Sequence, residues 1–301
     1  MNQIVRHIND EIKMTVTSMN VSALATISAA DAVLPENVEG MKDRMAQCDK
    51  AYMYSFQGGI GSLDEARALF SQGWQQGADR ANELRAVLTG LIPEGTITRR
   101  KRTIGDEGDE LRIEQALAGD WDQAWESRSL SQQRDSNVVS LSTGWIAPAS
   151  INPNALIWNA VQLIVLADAL ENAGWRVELR AIDGTTTYAK HGYLQMFDVM
   201  MKRAEEPMRP DLIAATVGHA GVYRTLGFAA MWTCPKAQQS SLGKCIGLNE
   251  NAKHEVTEAV NKAVDKGMMP NVSLVIPRAD SEQRARKNIL DAVNELFPQH
   301  A

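Results

Sequence analysis

The stretch that decides the fold runs from Val138 to Ile182 and begins with VVSLSTG (138–144). After a loop at 145–154 it continues with ALIWNAVQLIVLADALENAG (155–174) and, directly after that, WRVELRAI (175–182). The first part is short and rich in β-branched and hydroxyl residues, which predicts a strand. The second is apolar for most of its length and ends at Gly174, which predicts a buried helix over Asn154–Ala173. The third alternates between polar and apolar residues and predicts a second strand.

The chain beyond Ile182 continues in the same style. We predict a polar loop at Asp183–Lys190 and a strand-like apolar run at Tyr193–Met201. A helix that Asp211 caps after Pro210 is predicted to run to about Trp232. A buried strand at Val272–Ile276 and a final helix at Asp280–Leu296, which Asp280 caps, complete the prediction. Strands that alternate with helices are typical of an α/β domain with a largely parallel sheet flanked by helices. We therefore predict such a domain over 136–301.

Residues 1–135 predict a mixed α+β region. Ile4–Val16 fits a strand or a short helix, Asn37–Cys48 a helix, and Tyr52–Gly61 a strand followed by a glycine turn. Ser62 is a predicted N-cap, because Glu65 follows three residues later as in a capping box. The helix that it starts is predicted to break at Gly73-Trp74 and to resume through Leu88.

A basic run followed by an acidic one lies in EGTITRRKRTIGDEGDELRIEQALAG (94–119), and we predict a mobile segment near 94–110. Two tryptophans follow, four residues apart, on a predicted helical turn. Clustered cations bind phosphates and exposed aromatic rings stack on bases, so this combination is typical of a site for single-stranded nucleic acid. The predicted nucleic-acid-binding residues are Arg99, Arg100, Lys101, Arg102, Trp121 and Trp125. The alternative is that the cations pair with Asp106–Glu110 and that both tryptophans are core residues.

A second candidate surface lies at the carboxyl ends of the predicted parallel strands, where ligands tend to bind. Trp145 follows the first strand of the α/β domain, and Tyr188, Lys190 and His191 follow the next one. We predict that these four residues form rim contacts.

The sequence gives little support to enzyme chemistry. None of the five histidines has a metal-binding or catalytic spacing, and the three cysteines form no CxxC pair. The turn Gly58–Ser62 stands where a phosphate loop would, but it lacks the Lys-Ser/Thr ending of a Walker loop. We predict a protein without catalytic residues, metal or cofactor, and keep a nucleotide-binding enzyme as the last alternative.

Charge and hydropathy bear on location and partners. The net charge of −6 argues against a general electrostatic grip on duplex DNA. The N-terminus has no apolar core of signal-peptide length, and polar residues interrupt the longest apolar run, Ala155–Leu170. We predict a cytoplasmic protein that does not associate with membranes.

Val138–Ile182 resembles a von Willebrand factor A-type domain in its strand, long apolar helix and second strand. In that family the first strand leads into a metal-binding loop of Asp-x-Ser-x-Ser type. The corresponding residues here are Ser140-Leu141-Ser142-Thr143-Gly144, which lack the aspartate. Hydroxyl groups without carboxylates are poor ligands for a hard cation. The resemblance therefore implies the fold without the metal site.

The chain is also similar to uncharacterised phage and mobile-element proteins that carry an F-x-G-G…G-W-x-x-G pattern. The matching residues are Phe56, Gly58, Gly59, Gly73, Trp74 and Gly77. This resemblance implies a phage-type single-stranded-DNA-binding protein that acts in the host cytoplasm. One class of such proteins is a transcription cofactor that recruits a phage RNA polymerase. The alternative is a protein-interaction adaptor, and a second copy of the chain is a further candidate partner.

Overall fold

The structure is a computed structural model. It describes residues 2–7, 13–26, 58–60, 62–84, 92, 101–106, 110–129, 138–145, 151–187, 193–227, 230, 258 and 260–298. The predicted helix Asn37–Cys48 and the predicted strand Tyr52–Phe56 lie outside these residues.

In the part of the chain that the structure describes, nine strands form two sheets. The strands are β1 (Asn2–His7), β2 (Lys13–Asn20), β3 (Lys101–Gly105), β4 (Glu110–Leu111), β5 (Trp125–Ser129), β6 (Val138–Gly144), β7 (Arg176–Thr187), β8 (Tyr193–Lys202) and β9 (Leu274–Ile276). The larger sheet has the order β1-β2-β8-β7-β6-β9 and the smaller one β3-β5-β4.

The larger sheet is mostly parallel. The pairs β2–β8, β6–β7 and β6–β9 run parallel, whereas β1–β2 and β7–β8 run antiparallel. This confirms the predicted α/β class with a largely parallel sheet. β1 and β2 belong to the predicted N-terminal region, so the sheet joins that region to residues 136–301.

Residues 260–265 are helical, and eight further α-helices accompany the sheets in the described residues. They are α1 (Val21–Thr26), α2 (Leu63–Gln72), α3 (Gln75–Leu84), α4 (Ile113–Leu117), α5 (Ile157–Asn172), α6 (Pro210–Ile213), α7 (Ala220–Val222) and α8 (Glu282–Leu296). α6 continues as a π-helix over Ala214–Gly218, and α7 continues as one over Tyr223–Gly227.

The core is built around α5. Its residues from Asn159 to Ala167 are all buried, so the helix has no polar face and must be covered on every side. It packs against β6 and β7, against α3 and α8, and against the π-helix 214–218. Leu163, Ile164 and Leu166 are fully buried there, and each contributes about 1.5–3 kcal/mol of transfer free energy.

The apolar segment Pro153–Asn172 is long enough to cross a membrane by length and composition. However, 61% of its most apolar window is buried inside the protein. The segment is therefore the core helix of the α/β domain, as in a soluble protein.

The opposite face of the sheet carries a second apolar cluster. Alternate strand residues point to opposite faces, and Met14, Val16, Ile182 and Met196 point to this one. Residues 260–269 cover them with Val260, Ala263, Met268 and Met269, which are all buried.

Three predicted boundaries differ from the structure. Asp183–Thr187 continues β7 and pairs with β8, whereas we predicted a loop there. The run Ile4–Val16 contains parts of two strands, β1 and β2. The helix predicted from Asp211 to about Trp232 is interrupted at His219, whose backbone is extended (φ −105°, ψ 112°).

Two predicted caps are one or two residues away from the observed ones. Ser281, next to Asp280, caps α8 by accepting a hydrogen bond from Arg284 N (3.4 Å), while Asp280 pairs with Arg284. Arg209, and not the predicted Asp211, is the N-cap residue of α6. The Asp211 carboxylate accepts a hydrogen bond from the Arg209 guanidinium (2.8 Å). This hydrogen bond from Arg209 lowers the pKa of Asp211. The predicted N-cap Ser62 is confirmed, because its Oγ accepts from Glu65 N (3.2 Å).

The glycines of the F-x-G-G…G-W-x-x-G pattern make close contacts. Gly58 and Gly59 form a turn with positive φ (65° and 86°), and Gly58 packs against His219 and Gly221. Gly73 also has positive φ (75°), and a Cβ there would overlap the Asp211 side chain. The pattern therefore describes packing around α6 and α7, in agreement with a tight turn into a capped helix at 58–62.

His219 stands at the centre of this packing. Its Nδ1 accepts from Gly221 N (3.2 Å) and caps α7, and its ring meets the Trp74 ring edge-on at 4.8 Å. Burial lowers the pKa of His219 to about 4, because desolvation disfavours the charged ring. A protonated Nδ1 could not accept the hydrogen bond from Gly221, so folding requires the neutral form.

We expect Gly73→Ala to destabilise the fold more than Gly119→Ala. Both glycines have positive φ (75° and 80°), which costs a residue with a Cβ about 1–2 kcal/mol, and Gly73 also has a ψ of 166°, in a region that is essentially restricted to glycine. Only Gly73 has the Asp211 side chain in the way, whereas a Cβ at Gly119 meets nothing within 4 Å. Urea unfolding of both variants measures the difference, and equal losses would contradict the packing role of Gly73.

We expect acid to weaken the fold through His219. Because its pKa is about 4 when folded against 6.5 when unfolded, the unfolded chain takes up the proton first as the pH falls. Stability is lost between pH 6.5 and 4, by up to about 3 kcal/mol. In His219→Asn, which keeps a cap acceptor, this component should disappear from the pH dependence of urea unfolding. An unchanged pH dependence in the variant would refute the assignment.

Candidate interaction surface

The predicted nucleic-acid segment folds around the smaller sheet. β3 pairs antiparallel with β5, so that Arg102 stands opposite Arg128 and Gly105 opposite Trp125. β4 pairs with the other side of β5 through Glu110 and Leu111. Lys101–Gly105 is therefore a paired strand, within the segment that we predicted to be mobile.

Backbone hydrogen bonds hold the rest of this small unit. Arg112 N donates to Ala124 O (2.7 Å), and Asp120 N donates to Gln115 O (3.0 Å) where Gly119 ends α4 with a positive φ of 80°. Ala124 is fully buried under the turn. The unit thus has its own hydrogen-bond framework and little apolar interior.

The unit displays large apolar side chains to solvent. Of the seven large hydrophobic side chains that are exposed in the described part of the chain, five belong to this unit: Ile104, Leu111, Ile113, Leu117 and Trp121. We call these five residues the apolar surface; Leu111 pairs with Trp125 and Ile104 with the next residue of β5, so these two side chains lie on opposite faces of the small sheet. Leu117 is 83% and Ile113 65% exposed, and they lie four residues apart on the same face of α4.

Both predicted tryptophans belong to the unit, but not on one helix face. Trp121 begins a single 3₁₀ turn (Trp121–Gln123) and is 59% exposed, whereas Trp125 begins β5 and is half-buried. The predicted helical turn is wrong because the chain changes from 3₁₀ to extended conformation between the two residues.

Acidic side chains border the apolar surface. Asp106, Glu114, Asp120 and Asp122 are exposed, while the nearby Arg112 is half-buried. Lys101 and Arg102 lie on β3, and Arg99 and Arg100 lie outside the described residues. Among the side chains of the unit that the structure describes, the exposed charged ones are therefore all acidic.

The predicted rim at the carboxyl ends of the strands is different in the structure. Trp145 is only 3% exposed, its indole N–H donates to Thr216 O (3.0 Å), and its ring meets Tyr223 edge-on at 5.6 Å. The predicted exposure of Trp145 is wrong, because the π-helices beyond α6 and α7 cover it. Tyr188, Lys190 and His191 lie outside the described residues.

A buried polar network fills the crevice between the ends of β6 and β9. Thr143 Oγ1 donates to Asn159 Oδ1 (2.9 Å), and Asn159 Nδ2 donates to Gly144 O (2.9 Å). Gln162 and Asn288 complete it by donating to Pro277 O (2.8 and 2.9 Å). The hydroxyl of Thr143, in the stretch that resembles a metal-binding loop, thus bonds to protein groups.

Within the described ranges, no three His, Cys, Asp or Glu side chains come close enough together to hold a metal ion.

Sequence reasoning missed most of the apolar surface. It selected Trp121 for its ring, but Ile104, Leu111, Ile113 and Leu117 passed as ordinary apolar residues. A signal was available, because these apolar residues alternate with charged ones over a stretch too short to form a core of its own.

Comparison with protein families gave one informative match. A family model described as "Domain of unknown function (DUF7192)" matches residues 17–297, and so spans both sheets. No curated protein and no solved structure matched the chain.

We expect Leu117→Gln to change the free energy of unfolding by less than about 0.5 kcal/mol, because its side chain is already in water. Leu163→Ala, a matched loss of a leucine from the core, should cost about 2–5 kcal/mol. Urea unfolding of both variants tests the contrast. A large loss in Leu117→Gln would mean that the apolar surface is packed rather than free.

Proposed function

We propose that this chain, which belongs to the DUF7192 family, is a non-enzymatic interaction module of the cytoplasm that docks a partner protein on its apolar surface. The observation that carries the proposal is the exposure of five large apolar side chains within one small unit. Grouped exposed apolar side chains in a folded protein mark interaction sites more often than single ones do.

One residue of the apolar surface is of the type that dominates interaction hot spots. Trp121 offers a large ring, and tryptophan is among the residues that contribute most to protein interfaces. Ile113 and Leu117 present a helix face that a partner can cover. Covering these side chains would remove apolar area from water at about 25 cal/mol per Å².

The charged border indicates the chemistry of the partner. Exposed Asp106, Glu114, Asp120 and Asp122 would repel an acidic partner and attract a basic one. We therefore expect the partner to present an apolar face flanked by lysine or arginine. A phage RNA polymerase is the partner that the sequence resemblance suggests for testing.

Single-stranded DNA is a second candidate ligand, and the exposed indole of Trp121 favours it. A base can stack on an exposed indole, which contributes about 1–3 kcal/mol per base. Lys101 and Arg102, from the predicted nucleic-acid set, lie on β3 in the same unit. The acidic border weakens this candidate, because DNA phosphates carry the same charge as these carboxylates.

The proposal is tested with two labelled helical peptides that share one leucine pattern and differ only in lysine or glutamate at the polar positions. A labelled single-stranded oligonucleotide is titrated beside them. Fluorescence anisotropy is measured for the wild type, Leu117→Gln and Trp121→Ala. Leu290→Gln is the matched control, because Leu290 is exposed (40%) on α8, in the other part of the fold.

We expect the lysine peptide to bind more tightly than the other two ligands. Leu117→Gln and Trp121→Ala should each lower the affinity for this peptide at least tenfold, whereas Leu290→Gln should not change it. If the lysine peptide bound all three variants equally, its binding would come from the net charge of the protein and not from the apolar surface, and the proposal would be refuted. Salt-sensitive binding of the oligonucleotide that Trp121→Ala abolishes would instead establish the second candidate.

A further inference from the structure

A chain of polar side chains crosses the sheet face opposite α5. Asp198 on β8 accepts from Ser18 Oγ on β2 (3.2 Å) and from Arg180 Nη1 on β7 (2.7 Å). Arg180 Nε also donates to Glu178 Oε1 (2.7 Å), which in turn accepts from Ser140 Oγ on β6 (3.3 Å). Four strands therefore contribute to one ion-pair network.

The network leaves one acceptor unused. Asp198 is 2% exposed, and both hydrogen bonds named above go to its Oδ2. Within the described residues its buried Oδ1 has no hydrogen-bond partner. Leaving such an oxygen unmatched destabilises the folded state, and more so when the group is charged. Burial raises the pKa of Asp198 although Arg180 opposes it, so the single cation does not compensate for the lost water.

Asp198 also lines a cavity of about 550 Å³. Ser18, Asn20 and Arg180 stand with it at the polar part of the wall, and Met200, Met268 and Met269 provide much of the apolar part. The volume lies in the range of small-molecule sites, which combine an apolar wall with a few placed polar groups. Methionine side chains adapt their shape easily and make favourable contacts with aromatic rings.

The charges of the network select the sign of a ligand. Arg180 lies between two carboxylates, those of Asp198 and Glu178, so these three groups carry one net negative charge. An ammonium group at Asp198 would bring them to neutrality and would donate to the unused oxygen. The charged side chains that line the cavity itself are Arg180, Arg203 and Asp198, whereas Glu178 does not line it. Arg180 is held at 2.7 Å by both carboxylates, and Arg203 is exposed, so water screens its charge.

We propose that this cavity binds a small organic amine with an apolar or aromatic body, and that Asp198 is the residue that pairs with the ammonium group. Oδ1 is shielded from water in this structure, so binding requires the side chains around it to move. The site is distinct from the apolar surface, which lies on the other sheet.

The test compares three probes that share a phenyl body and differ in the head group: phenethylamine, phenethyl alcohol and phenylpropionate. Isothermal titration calorimetry of the full chain should show the amine binding at least tenfold more tightly than the alcohol, and phenylpropionate binding most weakly. Asp198→Asn, which keeps the shape and removes the charge, should abolish the preference for the amine. Equal binding of amine and alcohol, preference for the acid, or no binding of any probe at millimolar concentration would overturn the proposal.

Two further variants keep the test decisive if Asp198→Asn does not fold. Met200→Phe narrows the cavity and should weaken binding of the amine. Arg203→Gln removes an exposed cation at the border, and should leave amine affinity unchanged or raise it. Circular dichroism checks that each variant is folded. A loss of amine affinity in Arg203→Gln, or an unchanged amine affinity in Met200→Phe, would contradict the proposed binding of the amine in this cavity.

Discussion

The burial of α5 on every side is the constraint on which the rest of the structure depends. A helix without a polar face gains nothing from solvent, so it has to be enclosed by the sheet on one side and by α3, α8 and the π-helix 214–218 on the other. Its first turns carry Asn159 and Gln162, which are also buried and need hydrogen-bond partners. The free carbonyls of Gly144 and Pro277 at the ends of β6 and β9 supply them. Core packing and the polar network are therefore two parts of one solution.

This solution removes the usual ligand position of an α/β fold. Ligands tend to bind where the order of the strands reverses, outside their carboxyl ends. Here that position, between β6 and β9, is filled by Thr143, Asn159 and Asn288, and Trp145 is buried beside it. The candidate binding sites therefore lie elsewhere, at the apolar surface of the small sheet and in the cavity that Asp198 lines.

The parts that could be predicted from sequence are those set by local periodicity. β6, α5 and β7 followed from their patterns, as did the Ser62 cap and the break at Gly73-Trp74, because each signal spans a few residues. The burial of Trp145 depends on Thr216, 71 positions along the chain, and no local pattern encodes that distance. The small sheet escaped prediction because β4 has two residues and β3 lies in a highly charged run. For the same reason only one of five apolar-surface residues was selected from sequence.

Both proposed sites lie where local and global preferences disagree. Ile113 and Leu117 are apolar side chains that the fold leaves in water, and Asp198 and Arg180 are charges that the fold buries inside a sheet. Sequences that fold well satisfy such preferences almost everywhere, so departures from them concentrate at functional positions. The two departures are opposite in kind, and so are the ligands that would remove them. An exposed apolar face is relieved by a large covering partner, whereas a buried unmatched carboxylate is relieved by one small cationic group. The fold can therefore serve two binding roles without sharing a residue between them.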